Sequence, residues 1–100
     1  MAKRKIVWSA KAKIDLLQIL EYFYIRNGSK TYSVYLNSKI RKTVKLLNSH
    51  PFLGLQSDID NVRSLVEGNY AILYKVDSEI ITINAIWDCR QNPDNMTSPK

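Results

Sequence analysis

The sequence predicts an α+β domain: an N-terminal strand, then an antiparallel helical hairpin packed on one face of a small antiparallel sheet, in the order β-α-α-β-β-β. Three observations predict it. Apolar residues recur at three- and four-residue steps from Ala10 to Leu47, with a single break at Asn27-Gly28. From Val62 onward the period falls to two and β-branched residues accumulate. Two turn signals, Gly68-Asn69 and Asp77-Ser78, divide that half into three runs. The 100 residues make one domain, 1–100, with a polar tail from about Cys89.

The first element is the short β-prone run Ile6-Val7-Trp8, closed by Ser9, whose hydroxyl suits a helix N-cap. A helix follows from Ala10 to Arg26. Its expected buried stripe is Ile14, Leu17, Leu20 and Tyr24, widened by Leu16, Ile19 and Phe23. Gly28 ends it, because glycine accepts the left-handed conformation of a C-cap. Ser29 is expected to cap the second helix, whose stripe is Tyr32, Leu36, Ile40, Val44 and Leu47. Pro51 disfavours helix at His50 and so terminates it. A loop runs from Leu53 to about Asn61, and Val62 to Glu67 is the next strand. In the run from Asn69 to Val76, alternation places Tyr70, Ile72, Tyr74 and Val76 on one face, with Ala71, Leu73 and Lys75 on the other. In the last strand, Glu79 to Trp87, simple alternation assigns Ile81, Ile83, Ala85 and Trp87 to the core. The hairpin covers one sheet face, and the other stays open for polar side chains to gather on.

Composition narrows the function. Hydrophobic residues are 45% and charged residues 24%, ordinary values for a globular chain. One cysteine, Cys89, and one histidine, His50, exclude a disulfide framework and a multi-Cys/His metal site, so neither metal nor cofactor is expected. No run approaches the roughly 20 apolar residues that span a bilayer. Lys3-Arg4-Lys5 is followed by too short an apolar run for an export signal, and a cytoplasmic location is expected. Net charge is +6, unevenly spread: residues 1–50 hold eleven bases and two acids, residues 51–100 four bases and seven acids. Such a field favours a polyanion or an acidic protein partner.

The catalytic inventory is thin. Asp58 and Asp60 read as an ordinary turn, and His50 as a helix-end residue facing the carbonyls of the last turn. Tyr70 and Tyr74, on one face of the central strand, read first as packing residues with their phenol tips at the rim. Arg63 starts the meander and Arg90 follows it. A guanidinium is a rigid fork of donors suited to phosphate or carboxylate, so the two would form an anion site if they converge. The alternative is an ion pair from Arg63 to a nearby acid, with Arg90 solvated.

Several segments in order resemble a known family: Ile6-Val7-Trp8, the helix with Ala12 and Asp15-Leu16 leading to Tyr22, the loop Pro51-Phe52-Leu53-Gly54, then Val62-Arg63-Ser64-Leu65, Tyr70-Ala71-Ile72-Leu73-Tyr74-Lys75-Val76, and Ile83 to Pro93. Together they resemble the RelE/ParE superfamily of toxins from bacterial type II toxin–antitoxin modules, over nearly the whole chain. The resemblance implies a toxin, of the kind linked to plasmid stabilisation, neutralised by a cognate antitoxin whose extended segment wraps it. The basic residues Lys39, Arg41, Lys42 and Lys45 would attract an acidic antitoxin segment. It also implies one of two activities: RelE-like members cleave mRNA on the ribosome through attack of the 2′-hydroxyl on the adjacent phosphate, whereas ParE-like members inhibit DNA gyrase. Arg63 matches the family's strand arginine and Arg90, with Gln91 beside it, the basic end of the last strand.

RNA cleavage needs a base, an acid and cations around the phosphorane. Arg63 and Arg90 meet the last need. No histidine lies near the end of the last strand and no tyrosine follows Arg90, and Gln56-Ser57-Asp58-Ile59-Asp60 stands where ribonuclease members carry lysines. Lys75 and Tyr70 could substitute only from one cleft, and alternation puts them on opposite faces. The expected function is therefore ParE-like binding and inhibition of gyrase. The alternatives are a ribosome-dependent mRNA endoribonuclease and a non-toxic basic interaction module.

Overall fold

A computed structural model describes residues 4–57 and 61–89. The elements are β1 (Lys5–Trp8), α1 (Ala10–Asn27), α2 (Thr31–Leu46), β2 (Leu55–Gln56), β3 (Val62–Glu67), β4 (Tyr70–Val76) and β5 (Ile80–Asp88). The five strands form one sheet in the order β1-β5-β4-β3-β2. Only the β1–β5 pair is parallel, and the chain passes from β1 through α1, α2, β2, β3 and β4 before it returns beside β1 as β5. The α+β architecture with a helical hairpin on one sheet face is the one the sequence predicts. β2 is additional: Leu55 and Gln56 pair with Ser64 and Arg63 inside the expected loop.

Local chemistry explains the ends of α1. Ser9 is extended, and its hydroxyl accepts the Ala12 N–H at 3.0 Å. Gly28, at φ 70°, takes the left-handed conformation and donates its N–H to the Tyr24 carbonyl. The start of α2 departs from expectation. Its N-cap is Lys30, with no side-chain cap, instead of Ser29. Lys30 is already helical at φ −87°, so no extended residue aims a hydroxyl at the first turn.

The face of α1 is also corrected. Ala12, Leu16 and Phe23 are buried, and Ile19 and Leu20 pack against them, while Ile14, Leu17 and Tyr24 are exposed. The α2 stripe holds for Leu36, Ile40, Val44 and Leu47, with Tyr32 at the margin. These residues meet Tyr70, Ile72, Tyr74, Ile81, Ile83 and Ile86 of the sheet in one core.

Ile86 marks a third departure from expectation. Tyr74 pairs with Ile83 and Leu73 with Ala85, so Asn84 has no partner and forms a β-bulge. The extra residue inverts the alternation beyond it. Ile86 therefore faces the helices, while Ala85 and Trp87 share the opposite face with Ala71 and Leu73. The N-terminal end of α1 clasps the bulge. The Ser9 hydroxyl donates to the Asn84 carbonyl at 3.1 Å, and the Ile86 N–H donates to Asp15 Oδ2 at 3.1 Å. Asp15 also pairs with Lys11 at 2.9 Å. Asp15→Ala is expected to cost about 1–3 kcal/mol, because it strands a partly buried N–H. A urea melt checks this, and Asp15→Asn, which keeps an acceptor, should recover most of the loss.

Candidate functional site

Four segments meet where β3 begins and β4 ends. The chain leaves α2, turns through Pro51 and lays Gly54 on the side chain of Tyr74. The Gly54 N–H donates to the Tyr74 hydroxyl oxygen at 2.8 Å, and the Gly54 carbonyl accepts from Arg63 Nη1 at 2.8 Å. Arg63 and Tyr74 are cross-strand partners, so both point to the helix side of the sheet. Arg63 is thus away from the open face, where function was expected to gather. Apolar and small side chains, among them Val66, Ala71, Leu73 and Ala85, dominate that open face. Gly54 is required for close approach: a Cβ there would lie 2.8 Å from the Tyr74 hydroxyl and 2.9 Å from the Ser64 carbonyl. Burial raises the Tyr74 pKa above its usual value, opposed by the Gly54 hydrogen bond and the Arg63 charge.

Phe52, in the same loop, is 58% exposed. The Arg63 guanidinium lies over its ring at 4.9 Å from the centroid, and that of Arg4 at 5.6 Å. Arg4 reaches there from the start of β1, held by a 2.7 Å hydrogen bond from Nε to the Asp77 carbonyl.

The other candidates disperse. Tyr70 is 2% exposed within the core, while Lys75 is exposed and points to the opposite face, so the two do not share a cleft. Arg90, Gln91, Asp58 and Asp60 lie outside the described residues. Of the four basic residues of α2, Lys39 leans toward β3, 3.8 Å from Glu67 and over the Tyr35 ring. Arg41 leans the other way, hydrogen-bonded to Asn37 and stacked over Trp8 of β1 at 5.2 Å. Lys42 and Lys45 are exposed. Lys39 and Arg41 therefore lean to opposite flanks of α2. Arg4 and Phe52 are absent from the sequence candidates, since only the parallel placement of β1 beside β5 brings Arg4 within reach of the loop after α2. Among the described residues no helix is long and apolar enough to cross a membrane, and no group of three potential metal ligands occurs.

A strand, a helical hairpin and an antiparallel meander, closed by a partly buried arginine–glycine–tyrosine junction, define a small α+β fold. A family model described as the ParE toxin of the type II toxin–antitoxin system parDE matches residues 6–93, and the chain belongs to that family. No curated protein matches the sequence significantly. Solved structures share the fold. A chain of the chromosomal ParDE system of P. aeruginosa superposes with a TM-score of 0.75 at 23% identity, over 84% of this chain and 94% of that one. A chain of the RelBE2 toxin–antitoxin complex of Mycobacterium tuberculosis gives 0.62 at 17% identity, over 88% and 93%. A chain of the E. coli DinJ-YafQ complex gives 0.55 at 14%, over 87% and 93%.

Proposed function

We propose that this ParE-family toxin acts by binding and inhibiting DNA gyrase, and that a cognate antitoxin holds it inactive, in a module serving plasmid stabilisation in the cytoplasm. The observation that carries the target is the environment of Arg63. Its partners are a backbone carbonyl and a phenyl ring, and the nearby phenol of Tyr74 is fully buried with its pKa raised. That group is poorly suited to take a proton from a ribose hydroxyl near neutral pH. Arg63 serves here as a structural and binding residue, as Arg90 and Gln91 would on the target side.

The antitoxin reading rests on α1. Its inward stripe is satisfied by the core, yet Leu17 and Ile25 remain 65% and 71% exposed, with Ile14 and Tyr24 on the outer side. A helix apolar on both sides calls for a second cover, and the related chains were solved within toxin–antitoxin complexes. Lys42 and Lys45 add positive charge that an acidic segment would meet.

In a supercoiling assay, purified protein should abolish gyrase activity in a dose-dependent way, and added antitoxin should restore it. Full supercoiling at saturating toxin, together with cut mRNA on translating ribosomes, would replace this reading with a ribonuclease. Full supercoiling with intact mRNA and no growth defect would leave a non-toxic interaction module.

A further inference from the structure

We propose that the open face of the sheet is the surface on which gyrase docks, and that it takes an apolar protein surface bordered by acidic side chains. The inference rests on the gyrase reading and gives it a location on the toxin.

The first observation is that the sheet is apolar on both sides. An antiparallel sheet with one face in water normally alternates apolar inward and polar outward. Here the inward set, Tyr70, Ile72, Tyr74, Ile81, Ile83 and Ile86, meets the helices. The strand register puts Val7, Leu55, Val66, Leu73, Ile80 and Trp87 on the other side. Of these, Val7, Leu55, Val66 and Ile80 are exposed. An apolar face of this kind, continuous across five strands, marks an interaction site.

The second observation is relief. Rows across the strands set small residues between large ones: Ala71 between Val66 and Trp87, and Ser64 between Leu55 and Leu73. Ala71 is buried, while Val66 beside it is 61% exposed. The rows leave a shallow trough that a partner side chain can enter, with a tryptophan, the residue type most often dominant in binding energy, along its border. The third observation is charge. Lys5 and Lys75 share this face and are exposed, and none of its described strand residues is acidic. Acidic side chains on the partner would complement those two lysines. The positions are also rigid, because all of them sit in paired strands, which lowers the ordering cost of binding.

Other occupants fit less well. A second copy of the chain would bring lysines against lysines with no acid to offset them. Residues 90–100 contain one large apolar side chain, Met96, too little to cover the face. A nucleic acid would set its phosphates against valine and leucine side chains, which offer no donor. The antitoxin has the outer side of α1.

The test is surface plasmon resonance of the full chain on immobilised gyrase holoenzyme, read beside inhibition of supercoiling. Val66→Glu should weaken binding and inhibition about tenfold, and Trp87→Ala about 30-fold. Lys75→Glu should slow association about tenfold at low salt, and the difference should shrink as salt rises. Val34→Glu, at an equally exposed valine on α2, should change neither. Thermal melts of Val66→Glu and Lys75→Glu should match the wild type, so these two decide the matter if Trp87→Ala fails to fold. Wild-type protein that neither binds nor inhibits gyrase would refute the target reading and this inference with it. Wild-type inhibition that persists in Val66→Glu and Lys75→Glu, or that Val34→Glu reduces equally, would overturn this inference alone. So would a toxin dimer in sedimentation equilibrium, or antitoxin binding, that Val66→Glu abolishes while gyrase inhibition is kept.

Discussion

Gly54→Ala is expected to destabilise the protein by about 2–5 kcal/mol, combining the cost of overpacking with that of a disturbed buried hydrogen bond. The added carbon would lie 2.8 Å from the Tyr74 hydroxyl, 2.9 Å from Tyr74 Cε1 and 2.9 Å from the Ser64 carbonyl. None of these neighbours can retreat cheaply. Tyr74 is fully buried among Ile72, Ile81 and Ile83, and the Ser64 oxygen is strand backbone. The loop would have to lift, breaking both the Gly54–Tyr74 and the Arg63–Gly54 hydrogen bonds. A domain whose whole stability is about 5–15 kcal/mol loses a large share of it. The check is chemical denaturation of Gly54→Ala, Tyr74→Phe and the double variant. Tyr74→Phe alone strands the Gly54 N–H and should cost about 1–3 kcal/mol. The double variant should cost less than the two losses added, because the hydroxyl that clashes with the new methyl is gone. A Gly54→Ala protein within about 0.5 kcal/mol of wild type would show that the loop does not rest on Tyr74.

The same junction shows which kinds of information the sequence carries. Pro51 to Gly54, Arg63 and Tyr74 stand out as separate segments of a family resemblance, yet their meaning is joint: a donor, an acceptor and a ring closing one loop onto two strands. Spacing could not reveal this, because it is set by the β3–β4 register. Local signals were legible where one residue determines the outcome, as Ser9 and Gly28 do at the ends of α1. They were ambiguous where residues competed. Apolar side chains occur on both sides of α1, so periodicity alone could not choose between Leu16 with Phe23 and Leu17 with Tyr24. β2, with two residues, has no period to detect. Arg4 and Phe52 lie far apart in sequence and meet only because β1 lies parallel to β5, a tertiary fact with no local trace.

Ile86→Asp is expected to abolish folding, whereas deletion of Asn84 two residues earlier should be survived. Ile86 is 2% exposed and lies in the core opposite Ile72. A carboxylate there would lose the burial of a large aliphatic chain, worth about 2–5 kcal/mol. It would also leave an unpaired buried charge, worth several kcal/mol more. The sum reaches the whole stability of a domain this size. Strict alternation along β5 predicts the reverse, since it puts Ile86 on the open face and would tolerate the change. The deletion separates the two readings from the other side. Asn84 is the unpaired residue between Ile83, opposite Tyr74, and Ala85, opposite Leu73. Without it the ladder becomes regular, and Ile81, Ile83 and Ile86 all keep their core face. What is lost is the Ser9 hydrogen bond to the Asn84 carbonyl and the local twist, about 1–3 kcal/mol. In a sheet without the bulge, the same deletion would throw every residue beyond it onto the wrong face and unfold the protein. Circular dichroism and a thermal melt of the two variants decide the matter: a folded deletion beside an unfolded Ile86→Asp establishes the bulge, and the opposite pair of results refutes it.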